Sequence, residues 1–159
     1  MLIVVVAKYW ANNIIENKVT LLVNNAGVNP THGWKTCIDV MLVGASYGAF
    51  LAMEKMSISN GKKGGRIVNI ASMAGLWPNR GLRKLDESGY SMAKFGTIAM
   101  TRSFSQNEHF SSDGIKAMAL CPWFTNTQFV TTVFSTDAIE QKFKYRVLEV
   151  SEVLKFFVP

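Results

Sequence analysis

The sequence is poor in the residues that staple small domains or hold metals. It has two cysteines, Cys37 and Cys121, too few for a disulfide framework or a cysteine-rich metal site. No metal centre is expected, and a reducing, cytosolic setting fits best. There is no low-complexity tract and no internal repeat, which excludes solenoid and fibrous architectures. The opening apolar stretch, Met1 to Ala7, is too short to span a bilayer, which takes ~20 residues. It also lacks the basic leader and small-residue cleavage pattern of a signal peptide. No glycine precedes Gly27.

What is present is a globular composition. The 159 residues are 48% hydrophobic and 18% charged, enough for one domain with an ordinary core over 1–159. The formal charge of +6 is scattered. Its densest clusters are Lys62, Lys63 and Arg66, then Arg80, Arg83 and Lys84. No nucleic-acid motif accompanies them, and solvated loops explain them. Neither a nucleic acid nor a membrane is expected as a partner. An anionic cofactor or substrate is the better use of the excess charge.

Short apolar runs alternate with helical patterns. Lys8 to Glu16 reads as the end of a helix. Val19 to Val23 is a continuous β-rich run stopped by Asn24-Asn25-Ala26-Gly27, the pattern of a strand buried on both faces. Ile38, Met41, Leu42, Ala45, Ala49, Ala52, Met53 and Met56 recur at spacings that predict a long amphipathic helix. Arg66 to Ile70 is a second strand, and residues 75–88 are loop-like. Tyr90 to about Asn107 is helical, Ile115 to Leu120 is a third strand, and Asp137 to Phe157 is expected to be helical. This alternation implies an α/β fold with a parallel sheet and right-handed crossovers. Ligands of such sheets sit beyond the carboxyl ends of the strands. Asn24, Ser72 and Pro122 all lie just past a strand end, although strand ends carry turn residues in any protein.

Tyr90 and Lys94 are four residues apart on a predicted helix and so share a face. A tyrosine, with a reference pKa of ~10, is a poor base near neutrality, and a cation within reach lowers that value. Tyr90 can then exchange a proton with an alcohol or carbonyl oxygen. The hydroxyl of Ser72, at the end of the neighbouring strand, can hold the same oxygen. A Tyr/Lys pair at this spacing is common on solvated helices. Its weight comes from opening the helix that follows a strand ending in serine.

Four motifs in order resemble the short-chain dehydrogenase/reductase family: Asn24-Asn25-Ala26-Gly27, the strand Gly65 to Ser72, Tyr90 to Lys94, and Cys121 to Thr127. The resemblance covers residues 8–135, with 136–159 read as helical. It implies a partial Rossmann-like, doubly wound parallel sheet of three strands with two long helices, without the family's N-terminal strands. Ser72 is then expected to hold the substrate oxygen, Tyr90 to be the acid/base, and Lys94 to lower the tyrosine pKa and bind the nicotinamide ribose. Asn24, Ala26 and Gly27 are expected to line the cofactor cleft with Tyr90, Lys94 and Pro122, and Thr125 and Thr127 to hold the carboxamide. The implied reaction is hydride transfer between a secondary alcohol or ketone and NAD, with NADP as the other candidate.

The sequence also departs from the family. The glycine-rich turn that cradles the pyrophosphate and the acidic residue for the adenosine ribose have no counterpart here. Met41 stands where the family has an asparagine that supports a proton relay. Trp123 replaces the glycine after proline, where an indole is expected to crowd the nicotinamide. Ser72 and Tyr90 are 18 residues apart, more than is usual, with the extra residues near 79–87. The competing reading is therefore a catalytically silent fragment or pseudoenzyme serving as an interaction module. Family resemblance also implies a homodimer through the two long helices. Met53, Met56, Phe95 and Phe104 are candidates for it, and at least half of these are expected to face their own sheet instead.

Overall fold

The computed structural model describes residues 19–77, 88–132, 135–143 and 146–155. The expected helix end at 8–16 and the inserted residues 79–87 lie outside them. The described chain falls into two compact units, Met1–Leu120 and Cys121–Pro159.

The first unit is built on a sheet of strands β1 (Leu21–Asn24), β2 (Gly65–Ile70) and β3 (Ile115–Leu120) in the order β1-β2-β3. Both pairings are parallel: Val23 lies beside Val68, and Val68 beside Met118. Each crossover carries one long helix, α1 (Trp34–Met56) or α2 (Ser88–Ser105), followed after α2 by the short α3 (Glu108–Ser112).

Alternation along the strands assigns the faces. Leu22, Ile67 and Ala117 are register neighbours on one face. They pack with Ala49, Ala52 and Met56 of α1 and with Phe104 and Phe110. Helix α1 is long and apolar enough to cross a membrane by length and composition. Its alanines and Met56 are buried, while Trp34, Val43, Tyr47 and Phe50 are exposed. The other face carries Leu21, Val23 and Met118, which are 52%, 40% and 44% exposed. The strand expected to be buried on both faces is therefore buried on one. Among the described strands β1 lies at the edge of the sheet.

Helix α1 contains a π-turn over Asp39–Val43, which includes Met41. The Met41 carbonyl accepts the Thr97 hydroxyl of α2 at 3.2 Å. A bond of that kind is one of the ways a helical ladder is interrupted. After α1, Ser59 holds Asp113 through its backbone N–H (3.1 Å) and its hydroxyl, closing the start of β2 onto the start of β3.

In the second unit, Thr125 and Leu148 form an isolated parallel bridge. Three short helices follow in order: α4 (Gln128–Thr131), α5 (Thr136–Phe143) and α6 (Val150–Leu154). Where the sequence led to one C-terminal helix, the described residues hold two, with the bridge residue Leu148 between them. Glu149 starts the second of these with a reciprocal capping box to Glu152.

Candidate active site

β2 and α2 run in opposite directions, so the end of one meets the start of the other. Ser72 follows β2 in extended conformation and caps the turn Met73–Gly75, its Oγ accepting the Ala74 N–H at 3.1 Å. Gly75 in that turn lies against α2: a Cβ on it would come within 2.6 Å of the Lys94 carbonyl oxygen. Only the missing side chain lets the loop approach. Tyr90 lies in the first turn of α2, partly buried, and Lys94 one turn later, 5% exposed. The Lys94 ammonium donates to the Ile70 carbonyl at 2.6 Å and lies 5.8 Å from the Tyr90 ring centroid. Ser72 hydrogen-bonds the Tyr90 phenol. The structure thus gathers Ser72, Tyr90 and Lys94 at the carboxyl end of β2.

Burial pushes the Tyr90 phenol above the ordinary tyrosine value, the Ser72 hydrogen bond pulls it down, and the nearby Cys37 thiol adds to the rise. The net direction is upward, where the sequence led us to expect Lys94 to lower it. Lys94 is anchored on the strand carbonyl and faces the ring, a cation–π placement. Desolvation of the phenolate dominates.

Asn24, expected to line the cofactor cleft, spends its side-chain amide inside the fold. It donates to the Ala45 carbonyl (3.0 Å) and to Asn69 Oδ1 (2.8 Å). Gly48 makes the room, since a Cβ there would lie 2.6 Å from Asn24 Oδ1. Asn25, Ala26 and Gly27 are exposed just beyond β1.

Pro122, Thr125 and Thr127 belong to the second unit. Thr125 Oγ1 donates to the Trp123 carbonyl (3.0 Å) and Thr127 Oγ1 to the Thr125 carbonyl (3.3 Å). Trp123 packs edge-to-face on Phe124, with centroids 5.0 Å apart.

Met41 is 2% exposed in an apolar cluster with Cys37 and Ala93, against which Tyr90 packs. Sequence reasoning missed Asn69, Thr97 and Thr101, which are buried and bonded to one another's elements. A signal existed: Tyr90, Lys94, Thr97 and Thr101 recur at four, three and four residues, a polar stripe along one helix face.

The donor set suits one half of a dinucleotide. Tyr90, Lys94 and the exposed backbone after β1 can meet a nicotinamide ribose. Among the described residues no glycine-rich turn joins a strand to a helix N-terminus, so none of them forms a cradle for the pyrophosphate.

A sequence profile of the short chain dehydrogenase family matches residues 5–138. The chain is 30% identical over 140 residues to human 15-hydroxyprostaglandin dehydrogenase (NAD(+)), covering 88% of this chain and 50% of that protein. It is 31% identical over 119 residues to a 3-oxoacyl-(acyl-carrier-protein) reductase of Synechocystis, covering 70% and 44%. The chain spans about half the length of these relatives. Among solved structures, an ElxO variant with NADPH bound is similar in fold, with a TM-score of 0.71 at 21% identity over 98% of this chain and 63% of that one.

Proposed function

We propose, from the premise that this chain belongs to the short chain dehydrogenase family, that it is a cytosolic oxidoreductase domain acting on a secondary alcohol or ketone, in the manner of the 15-hydroxyprostaglandin dehydrogenase it is similar to. The observation that carries the reading is the Ser72, Tyr90 and Lys94 cluster at the end of β2. NAD is the proposed cofactor, with NADP its competitor, and when bound it supplies or accepts the hydride. The chain's own work is positional and acid–base. The Ser72 hydroxyl holds the substrate oxygen, the Tyr90 phenol donates or accepts the proton there, and Lys94 holds the ribose. Asn24, Ala26 and Gly27 line the cleft through their backbone; by the family resemblance Pro122 is a further cofactor contact, and Thr125 and Thr127 hold the carboxamide.

A homodimer through α1 and α2 is part of this reading. Tyr47 and Phe50 are 57% and 59% exposed on α1, and Met92 and Phe95 are 46% and 42% exposed on α2. Of the residues expected from sequence, Phe95 remains available. Met56 is fully buried, and Met53 and Phe104 pack on the chain's own core.

Titrating NAD and NADH against the purified chain by fluorescence tests the proposal. Saturable submillimolar binding supports it. With turnover in hand, Tyr90→Phe is expected to lower kcat by roughly 10²–10⁴, and an unchanged kcat would defeat the proton-transfer role. A second reading, a catalytically silent interaction module, is favoured by the burial of Met41 at the relay position. Absence of cofactor binding by a folded, dimeric chain selects it.

A further inference from the structure

α2 is tied to the rest of the first unit by a chain of buried polar contacts away from the reacting groups. Asn69, fully buried on β2, accepts from Asn24 and donates through Nδ2 to Thr101 Oγ1 at 2.9 Å. Thr101 Oγ1 donates in turn to the Thr97 carbonyl at 2.7 Å. The Thr97 hydroxyl lies 2.9 Å from the Ala93 carbonyl and 3.2 Å from the Met41 carbonyl in the π-turn of α1. Thr97 and Thr101 are 1% and 4% exposed. An apolar residue at either place would fill the space, so burial alone does not call for hydroxyls. What hydroxyls add is direction, because each fixes a partner to within a few tenths of an ångström.

These contacts meet α2 one turn apart and lead to different elements, Thr101 to β2 and Thr97 to α1. Two such ties fix both the slide of the helix along the strand and its roll about its own axis. Ser72 lies three residues beyond Asn69, and Tyr90 lies on the same helical stripe as Thr97 and Thr101. We propose that Asn69 and Thr101 are positioning residues, whose hydrogen bond sets the helix on the strand so that the Tyr90 hydroxyl meets the Ser72 hydroxyl. This rests on the dehydrogenase reading for its purpose but not for its geometry.

The test uses the whole chain and reads the Tyr90 titration by NMR of labelled tyrosine, with Tyr90→Phe identifying the signal. Ser72→Ala supplies the reference in which the serine hydrogen bond is gone. Thr101→Val, nearly equal in shape, is expected to move the Tyr90 midpoint upward toward that reference, and Thr101→Ser to leave it where the unsubstituted chain has it. A folded Thr101→Val chain with an unmoved midpoint overturns the proposal and leaves Thr101 a structural residue. If Thr101→Val does not fold, native-state hydrogen exchange of the unsubstituted chain decides. Amides of β2 and of α2 from Tyr90 to Thr101 are expected to open together, and independent opening of the first turns of α2 overturns the inference. Cofactor binding is measured alongside. A shifted midpoint without cofactor binding upholds the positioning role and sinks the dehydrogenase reading.

Discussion

The two faces of the sheet are made from the same strands and have opposite environments. On one face Ile67 is fully buried under α1 and α2, and the only polar residues, Asn24 and Asn69, bond to each other as register partners. On the other, Val23 and Met118 flank Val68 and are 40% and 44% exposed. The first unit's share of the proposed site is supported from the covered face. Lys94, Thr97 and Thr101 come from the helix lying on it. The covered face therefore carries both stability and positioning, while the other leaves its flanking Val23 and Met118 exposed and only the central Val68 buried.

Substitutions can break or sharpen that contrast. Ile67→Ala on the covered face is expected to cost about 2–5 kcal/mol, read by urea denaturation. Thr101→Val leaves the buried Asn69 amide without its acceptor and is expected to cost about 1–3 kcal/mol. Restoration by Thr101→Ser distinguishes the hydrogen bond from the methyl. Tyr90 adds a pH dependence. Its folded pKa is raised, so its contribution is complete below the unfolded value of ~10 and is lost as pH rises through the folded value. Thermal scans at alkaline pH should show stability falling more steeply for the unsubstituted chain than for Tyr90→Phe. The smallest effect belongs to the bare face: Met118→Lys should change stability by less than about 0.5 kcal/mol and reduce self-association in sedimentation. A loss as large as that of Ile67→Ala would mean that this face is covered in solution.

Elements defined by local periodicity were legible. β3 matches its expected bounds, β2 gains one residue at Gly65, and α1 and α2 follow their apolar spacing. So were Ser72, Tyr90 and Lys94 as a group that meets in space. What escaped depends on distant partners. The π-turn at Met41 is linked to Thr97, 56 residues away. The break in the C-terminal helix coincides with the pairing of Leu148 and Thr125. The bare face of β1 was missed because a run such as Leu21 to Val23 records hydrophobicity without recording which faces receive a neighbour. The upward direction of the Tyr90 pKa was missed because spacing predicts who is near but not how much water is removed.

The parallel sheet also sets how this chain reaches its structure. Leu21 pairs with Arg66, and Gly65 with Ile115, so none of the three described strands pairs with a close neighbour in sequence. Each ladder must wait for a long crossover to close, which makes folding slow relative to chains built from local contacts. During that wait β1, a short apolar strand at the edge of the described sheet, can pair with any other chain at the same stage. Yield on refolding is therefore expected to fall with protein concentration more steeply than equilibrium stability alone dictates.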